Sequence, residues 1–132
     1  MGEKGSGKSS FGNEHTWDAS FEVQNAYAEV KKCSILHSGK WHRGMIHRIN
    51  MHHAEMLMKK PFECGDKVDI VMHLAAYDQP VRARGIVFRN RGKPPYFELG
   101  VEFIKIRPED AKKFDKDRYL DNLLKRRDSE LI

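Results

Sequence analysis

The residues best suited to chemistry are concentrated in one segment, WHRGMIHRINMHHAEMLM, which spans residues 41–58. Arginine offers a planar fork of donors that fits phosphates and the guanine edge, and it stacks on bases. Asparagine tolerates tight turns and hydrogen-bonds a ligand or the nearby backbone. The segment therefore predicts a site for a small anionic nucleotide, with the candidate binding residues Arg43, Arg48, Asn50 and His52. The simpler interpretation is a polar outer strand face that ends in an Asn turn.

The histidines of this segment do not indicate a metal site. Side chains alternate between the two faces of a strand, so His42 and His47 are expected to point in opposite directions. No arrangement of nucleophile and base is evident, and we expect no enzyme and no cofactor. Cys33 and Cys64 fall in separate predicted elements, as expected for ordinary thiols in a reducing compartment.

Six short strands and one helix would position the segment. Alternation of apolar and polar residues is clearest from Lys67 to Leu74. Successive short strands joined by turns predict a small antiparallel barrel. Glycines inside strands, at Gly85 and Gly100, indicate sharp bends or close backbone approach. The predicted strands are Tyr27–Leu36, Trp41–Asn50, Ala54–Met58, Lys67–Leu74, Val81–Arg89 and Tyr96–Ile106.

A C-terminal helix is predicted to begin at Pro108, because proline suits the first helical position and two acids follow it. Its apolar residues do not form one stripe. Ala111 and Phe114 share one face, whereas Leu120, Leu123 and Leu124 lie on another. Either the helix kinks between the two groups, or its second half packs on something else, such as another subunit.

The length of the chain limits the number of domains, and its charge indicates the kind of partner. The 132 residues suffice for one domain, which we place at residues 27–126, between a flexible N-terminal tail (1–26) and a short tail (127–132). Within the first tail, Trp17, Phe21 and Val23 are possible anchors on the core. Residues 27–106 carry 14 Lys and Arg against 8 Asp and Glu, which suits an anionic partner.

The chain carries no sign of a membrane protein. No apolar run approaches the roughly 20 residues of a membrane-spanning helix, and residues 1–10 lack the apolar core of a signal peptide. We expect a cytoplasmic protein with no membrane insertion.

The ordered segments between Val30 and Leu124 resemble the PilZ domain, a small bacterial barrel with a C-terminal helix. The resemblance covers about three quarters of the chain. It implies a mainly β fold, a six-stranded antiparallel PilZ-like barrel with a C-terminal α-helix, in a setting of cyclic di-GMP signalling. It is carried by WHRGMIHRIN (41–50), GDKVDI (65–70), RGIV (84–87), LGVEFI (99–104) and PED (108–110).

PilZ domains typically bind cyclic di-GMP through an Arg-x-x-x-Arg loop before the first strand and an Asp/Asn-x-Ser-x-x-Gly segment between the second and third strands. Asn50 matches the second motif, but His52 replaces its Ser and Glu55 replaces its Gly, and residues 16–26 contain no Arg. Each missing charge-assisted contact is worth roughly 1.5–3 kcal/mol. Glu55 would also repel a dianionic ligand.

These departures favour a regulatory adaptor that binds a protein partner. The alternative is a cyclic di-GMP receptor with a substituted site on Arg43, Arg48, Asn50 and neighbouring histidines. A weaker alternative is a small barrel that binds nucleic acid. Trp41 and Tyr96 are the only obvious residues for base stacking, and no aromatic platform is evident, so we do not expect nucleic acid as the partner.

Overall fold

Seven β-strands and a C-terminal helical region make up the described part of the computed structural model, residues 20–33 and 39–131, with the side chains of 128–131 excepted. The helical region consists of α1 (Pro108–Ala111), a 3₁₀ turn (Lys112–Phe114) and α2 (Lys116–Leu131). The strands are β1 (Phe21–Glu22), β2 (Tyr27–Lys32), β3 (His42–Ile49), β4 (His53–Met58), β5 (Lys67–His73), β6 (Val81–Lys93) and β7 (Tyr96–Ile106).

The sheet closes into a barrel. All pairs are antiparallel, the neighbours run β3-β2-β5-β6-β7-β4, and β4 pairs back onto β3. The short β1 lies outside this ring and pairs with the end of β3, where Phe21 faces Ile49. The predicted six-stranded antiparallel barrel with a C-terminal helix is confirmed, and β1 is an additional outer strand.

The core is built from the residues that alternate inward along every strand. Val68, Ile70 and Met72 are buried on β5, as their spacing predicts. The neighbouring strand leaves no room for a side chain at Gly85, because a Cβ there would stand 2.4 Å from Val101 Cγ1 and 2.8 Å from the Glu102 carbonyl oxygen. The close backbone approach predicted at this glycine is therefore present.

The packed structure begins ahead of Tyr27, where the predicted domain started. Phe21, Val23 and Ala26 are buried in the core cluster. Asn25 adopts a left-handed conformation with φ of 56°, which asparagine tolerates better than most residues, and it lies between two strands that pair along the same edge of β3. Of the predicted anchors, Phe21 and Val23 contact the core, while Trp17 lies outside the described residues.

Two strand ends differ from the prediction by four residues, and the other boundaries differ by one residue at most. β2 ends at Lys32, and residues 34–36 of the predicted strand lie outside the described residues. β6 extends to Lys93, so the predicted hairpin loop at 90–95 is reduced to Pro94-Pro95, joined by a cis peptide bond. The extension follows from cross-strand pairing with β7, in which Arg91 faces Glu98, an opposite-charge pair that favours this register.

The helical region breaks at Asp115, whose backbone is extended and whose carboxylate accepts a hydrogen bond from the Arg118 N–H at 3.1 Å. The break agrees with the predicted kink. Tyr119 is buried 5.4 Å from the ring of Phe21, and the Tyr77 hydroxyl donates to the Lys113 carbonyl at 2.7 Å. These contacts attach the helical region to the barrel.

Beyond Tyr119, α2 continues to Leu131, so residues 127–131 are helical where a tail was predicted. An ion pair between Lys125 and Asp121 at 3.1 Å lies just before this extension. None of the described helices is long and apolar enough to span a membrane.

Candidate functional site

The turn site is the surface around the β3–β4 connection, comprising Arg48, Asn50, His52, Glu55 and Arg89. At its centre, the buried Asn50 side chain accepts hydrogen bonds from the backbone N–H groups of His52 and His53, both at 2.7 Å. The Asn50 N–H donates to the His53 carbonyl at 3.0 Å. The carboxamide oxygen therefore holds the tight turn, which is the backbone role that the sequence suggested for this residue.

Arg48 is held by the residues that precede the barrel. It lies at a β-bulge between β3 and β4, and its guanidinium donates to the Ser20 hydroxyl at 2.8 and 3.1 Å. The Glu22 carboxylate lies 3.7 Å from Nη1. The guanidinium thus lies on the segment where PilZ domains were expected to place their arginine pair.

Glu55 stands on the outer face of β4, where the binding motif has glycine. Its carboxylate lies 2.8 Å from His47 Nε2 and forms an ion pair with Arg89 on β6. The Glu55 side chain is 15% exposed, so water screens these contacts only partly. A carboxylate and its two partners therefore occupy the surface that glycine would leave open.

His53 and Phe88 close the inner side of the turn site. The two rings lie 5.3 Å apart, and His53 is fully buried. Burial, together with smaller contributions from the nearby His52 and Arg89, lowers the pKa of His53 to about 4. The His53 ring is therefore neutral at pH 7 and adds no positive charge for an anionic ligand.

Arg43 lies apart from the other predicted site residues. Arg48 lies five positions further along the extended strand, which corresponds to about 16 Å. Its guanidinium lies 4.4 Å from the centroid of the Tyr27 ring, which stacks in turn on His73 at 4.4 Å with 14° between the planes. The structure therefore brings Arg48, Asn50 and His52 to the turn site and places Arg43 elsewhere.

Arg43 belongs to a second surface, the basic groove, with a cavity volume of about 900 Å³ on the outer face of β2, β3, β4 and β7. Met45 and Leu57 face each other on the two middle strands and are exposed. Around them, the lining includes the aromatic rings of Tyr27, Trp41 and Tyr96 and the cations Arg43, Lys59 and Lys60.

The groove contains residues that sequence reasoning did not join together. Trp41, Arg43 and Met45 alternate along one strand face, so their shared direction could have been found from their spacing. Tyr27, Lys59 and Tyr96 come from other strands, and only the strand pairing shows that they meet. In the described ranges 20–33 and 39–131, no group of three His, Cys, Asp or Glu side chains converges as a metal site would require.

Comparison with known proteins supports the fold. No protein-family description and no characterised protein sequence matches the chain. Among solved structures, the Bacillus subtilis inhibitor of motility (MotI/DgrA) matches with a TM-score of 0.60 at 13% identity, covering 82% of this chain and 51% of that one. The K. pneumonia protein MrkH in its apo state matches with a TM-score of 0.59 at 14% identity, covering 83% and 51%.

A second MrkH structure, described as a c-di-GMP-dependent transcription regulatory factor, matches with a TM-score of 0.57 at 15% identity, covering 80% of this chain and 49% of that one. The chain therefore spans about half the length of these proteins. At such low identity the likeness establishes the fold. The resemblance to the PilZ domain is confirmed at that level.

Proposed function

We propose that this chain is a regulatory adaptor in PilZ-type signalling, which binds a protein partner and does not bind cyclic di-GMP at the turn site. One observation carries the proposal: the Glu55 carboxylate occupies the position of the motif glycine and is paired with Arg89 and His47. The protein itself thus supplies the negative charge that a nucleotide phosphate would bring to this surface.

Binding a dianionic nucleotide at the turn site would require these pairs to break. Arg89 would have to leave Glu55, and the carboxylate would remain beside the ligand phosphates without its cation. Removing the partner of a partly buried charge costs more than the pair contributes, because the remaining group is poorly solvated. Arg48 is likewise engaged with Ser20 and Glu22, so its use by a ligand would cost those contacts.

The structural neighbours support a regulatory role and suggest no catalytic one. Their descriptions are an inhibitor of motility and a c-di-GMP-dependent transcription regulatory factor. Since this chain covers about half of each, the shared part corresponds to a module of those proteins. We extend the regulatory role to this chain, and not the ligand, because the turn site is differently built.

The outer face of α2 is the surface we assign to the protein partner. Tyr119 is buried and Leu123 packs against the core, whereas Leu120 and Leu124, one turn apart, are 43% and 57% exposed. An exposed leucine pair at this spacing is typical of a helix that docks on an apolar surface of another protein. The expected occupant is a partner protein with a complementary apolar surface.

Calorimetric titration with cyclic di-GMP at low salt tests the proposal. We expect no saturable heat with the natural chain. Glu55→Gly should create measurable binding, because it restores the motif glycine and removes the carboxylate that Arg89 and His47 contact. The matched control is Glu98→Gly, on the neighbouring strand and opposite Leu57, which should create none. Saturable binding by the natural chain that Arg48→Ala abolishes would overturn the proposal.

One observation favours the alternative that the chain is a cyclic di-GMP receptor, and it indicates which variant would lose the binding. The Arg48 guanidinium reaches Ser20, the segment in which PilZ domains hold their arginines. If Arg48 replaced those arginines, the natural chain would bind cyclic di-GMP in the calorimeter, and Arg48→Ala would abolish the heat. Arg43→Ala, in the separate groove, would then leave this binding unchanged.

A further inference from the structure

The basic groove holds three cations that form no ion pair with the acids of residues 20–33 and 39–131. Arg43, Lys59 and Lys60 line it, and Glu29, the acid that faces Arg43 across the strands, lies 3.5 Å from His73. No acidic residue belongs to the lining. The net positive charge of the barrel is therefore accessible here, in contrast to the turn site, and it favours a negatively charged occupant.

The same groove presents aromatic rings in fixed positions. Tyr27 is held between His73 and the Arg43 guanidinium, both about 4.4 Å from its centroid. His73 is itself 3.5 Å from the Glu29 carboxylate. Arg43 thus packs on a stack of two rings, Tyr27 and His73. A guanidinium held in this way is well placed to stack on a base.

Two further rings stand open at the groove. Trp41 is 44% and Tyr96 52% exposed. Lysine side chains accompany both, with Lys31 Nζ 4.8 Å from the Trp41 ring centroid and Lys59 Nζ 5.9 Å from that of Tyr96. An ammonium group therefore lies over one face of each exposed ring.

We infer that the basic groove binds single-stranded nucleic acid, with bases stacked on Trp41 and Tyr96 and phosphates held by Arg43, Lys59 and Lys60. Unpaired bases offer a planar face and a phosphate at every nucleotide, which matches alternating rings and cations. A duplex hides its base faces, and an acidic peptide supplies charge without planar groups. The strand pairing thus assembles the aromatic platform that was not evident in the sequence.

A second, smaller cavity adjoins the basic groove and adds further lysines. It has a volume of about 350 Å³, shares His42 and Lys60 with the basic groove, and adds Lys32 and Lys40. Its acids are Glu63 and Asp66, and Asp66 lies 3.5 Å from Lys32. A strand longer than two nucleotides can use both cavities, so the inference predicts a preference for oligonucleotides over a dinucleotide.

Fluorescence anisotropy with a fluorescein-labelled oligothymidylate of about 15 nucleotides tests this inference. Three phosphate contacts predict a log–log salt slope of about −2, so affinity should fall roughly twentyfold between about 50 and about 200 mM salt. Trp41→Ala and Tyr96→Ala should each weaken binding by about tenfold or more through lost stacking. Circular dichroism and thermal unfolding should confirm that both variants remain folded.

Two controls separate specific binding from general attraction to a basic protein. Lys105→Gln removes an exposed cation on β7 that is not part of the groove lining, and it should change the affinity much less than Lys59→Gln does. Polyglutamate carries charge without bases and should compete poorly.

The inference would be overturned by absence of binding at about 50 mM salt. It would also be overturned if both aromatic variants bound like the natural chain, or if polyglutamate competed as well as unlabelled oligothymidylate. The last result would assign the groove to acidic protein segments.

Discussion

The turn site and the basic groove lie at opposite ends of the β3–β4 hairpin, and both are lined by arginine, yet their charges are organised differently. At the turn site Arg48 and Arg89 contact acids and a hydroxyl supplied by the chain. In the groove Arg43 lies on a tyrosine ring and forms no ion pair with the described acids, while Glu29, which faces it across the strands, contacts His73. An arginine indicates a ligand site only where the protein does not itself neutralise the charge.

This difference predicts a difference in stability. Arg89→Gln should reduce the free energy of unfolding by about 1–3 kcal/mol, because Glu55 keeps its charge in a partly buried place without its main cation. Lys59→Gln in the groove should change it by less than about 0.5 kcal/mol, since no pair is lost. Urea denaturation measures both.

A double-mutant cycle makes the test of the pair stricter. Glu55→Gln combined with Arg89→Gln should be more stable than the sum of the two single effects implies, because neither charge is then left alone. Equal losses from Arg89→Gln and Lys59→Gln, with no coupling, would remove the distinction between the two surfaces.

The pH dependence of stability should come from the turn site. The pKa of His53 is about 4 in the folded chain, against a usual value of 6.5. The unfolded chain therefore takes up the proton first. Stability should be unaffected by this group above pH 6.5 and should fall as the pH is lowered from 6.5 towards 4, by up to about 1.4 kcal/mol per pH unit.

His53→Phe removes the titrating group and keeps a ring against Phe88. Urea denaturation at several pH values should show a flatter profile for this variant between pH 6.5 and 4 than for the natural chain. If the two profiles ran parallel, the buried neutral His53 would not be the source of the acid sensitivity.

The smallest effect on stability is expected at the exposed leucines of α2. Leu124→Asp should change the free energy of unfolding by less than about 0.5 kcal/mol, because its side chain is already in water. A photo-crosslinking residue at position 124 should capture a partner protein, and the same residue at the exposed position 116 should not. Equal capture from both positions would argue against this helix face as the docking surface.

The fold followed from the sequence because its signals are local. Alternation of apolar and polar residues indicates the strand β5, and Pro108 indicates the start of the helix. The glycine at position 85 indicates a close approach of two strands. Each of these signals lies within a few neighbouring residues. β1 was missed because two residues give no periodicity. Its strand position depends on pairing with the distant Ile49 and Arg48.

The candidate site followed only in part, because sites depend on which strands become neighbours. The role of Asn50 in the turn is a local property, and the sequence already suggested a turn asparagine. The pairing of Glu55 with Arg89 joins residues 34 positions apart, and the basic groove joins side chains of several strands. Neither could be deduced from spacing within one segment.

The most direct test of this account is a calorimetric titration of the natural chain with cyclic di-GMP at low salt, repeated with Glu55→Gly. We expect no saturable heat for the natural chain and binding after the carboxylate is removed, because Glu55 holds the cations that the ligand needs. Saturable binding by the natural chain that is lost in Arg48→Ala would contradict it, and would identify the turn site as a working receptor.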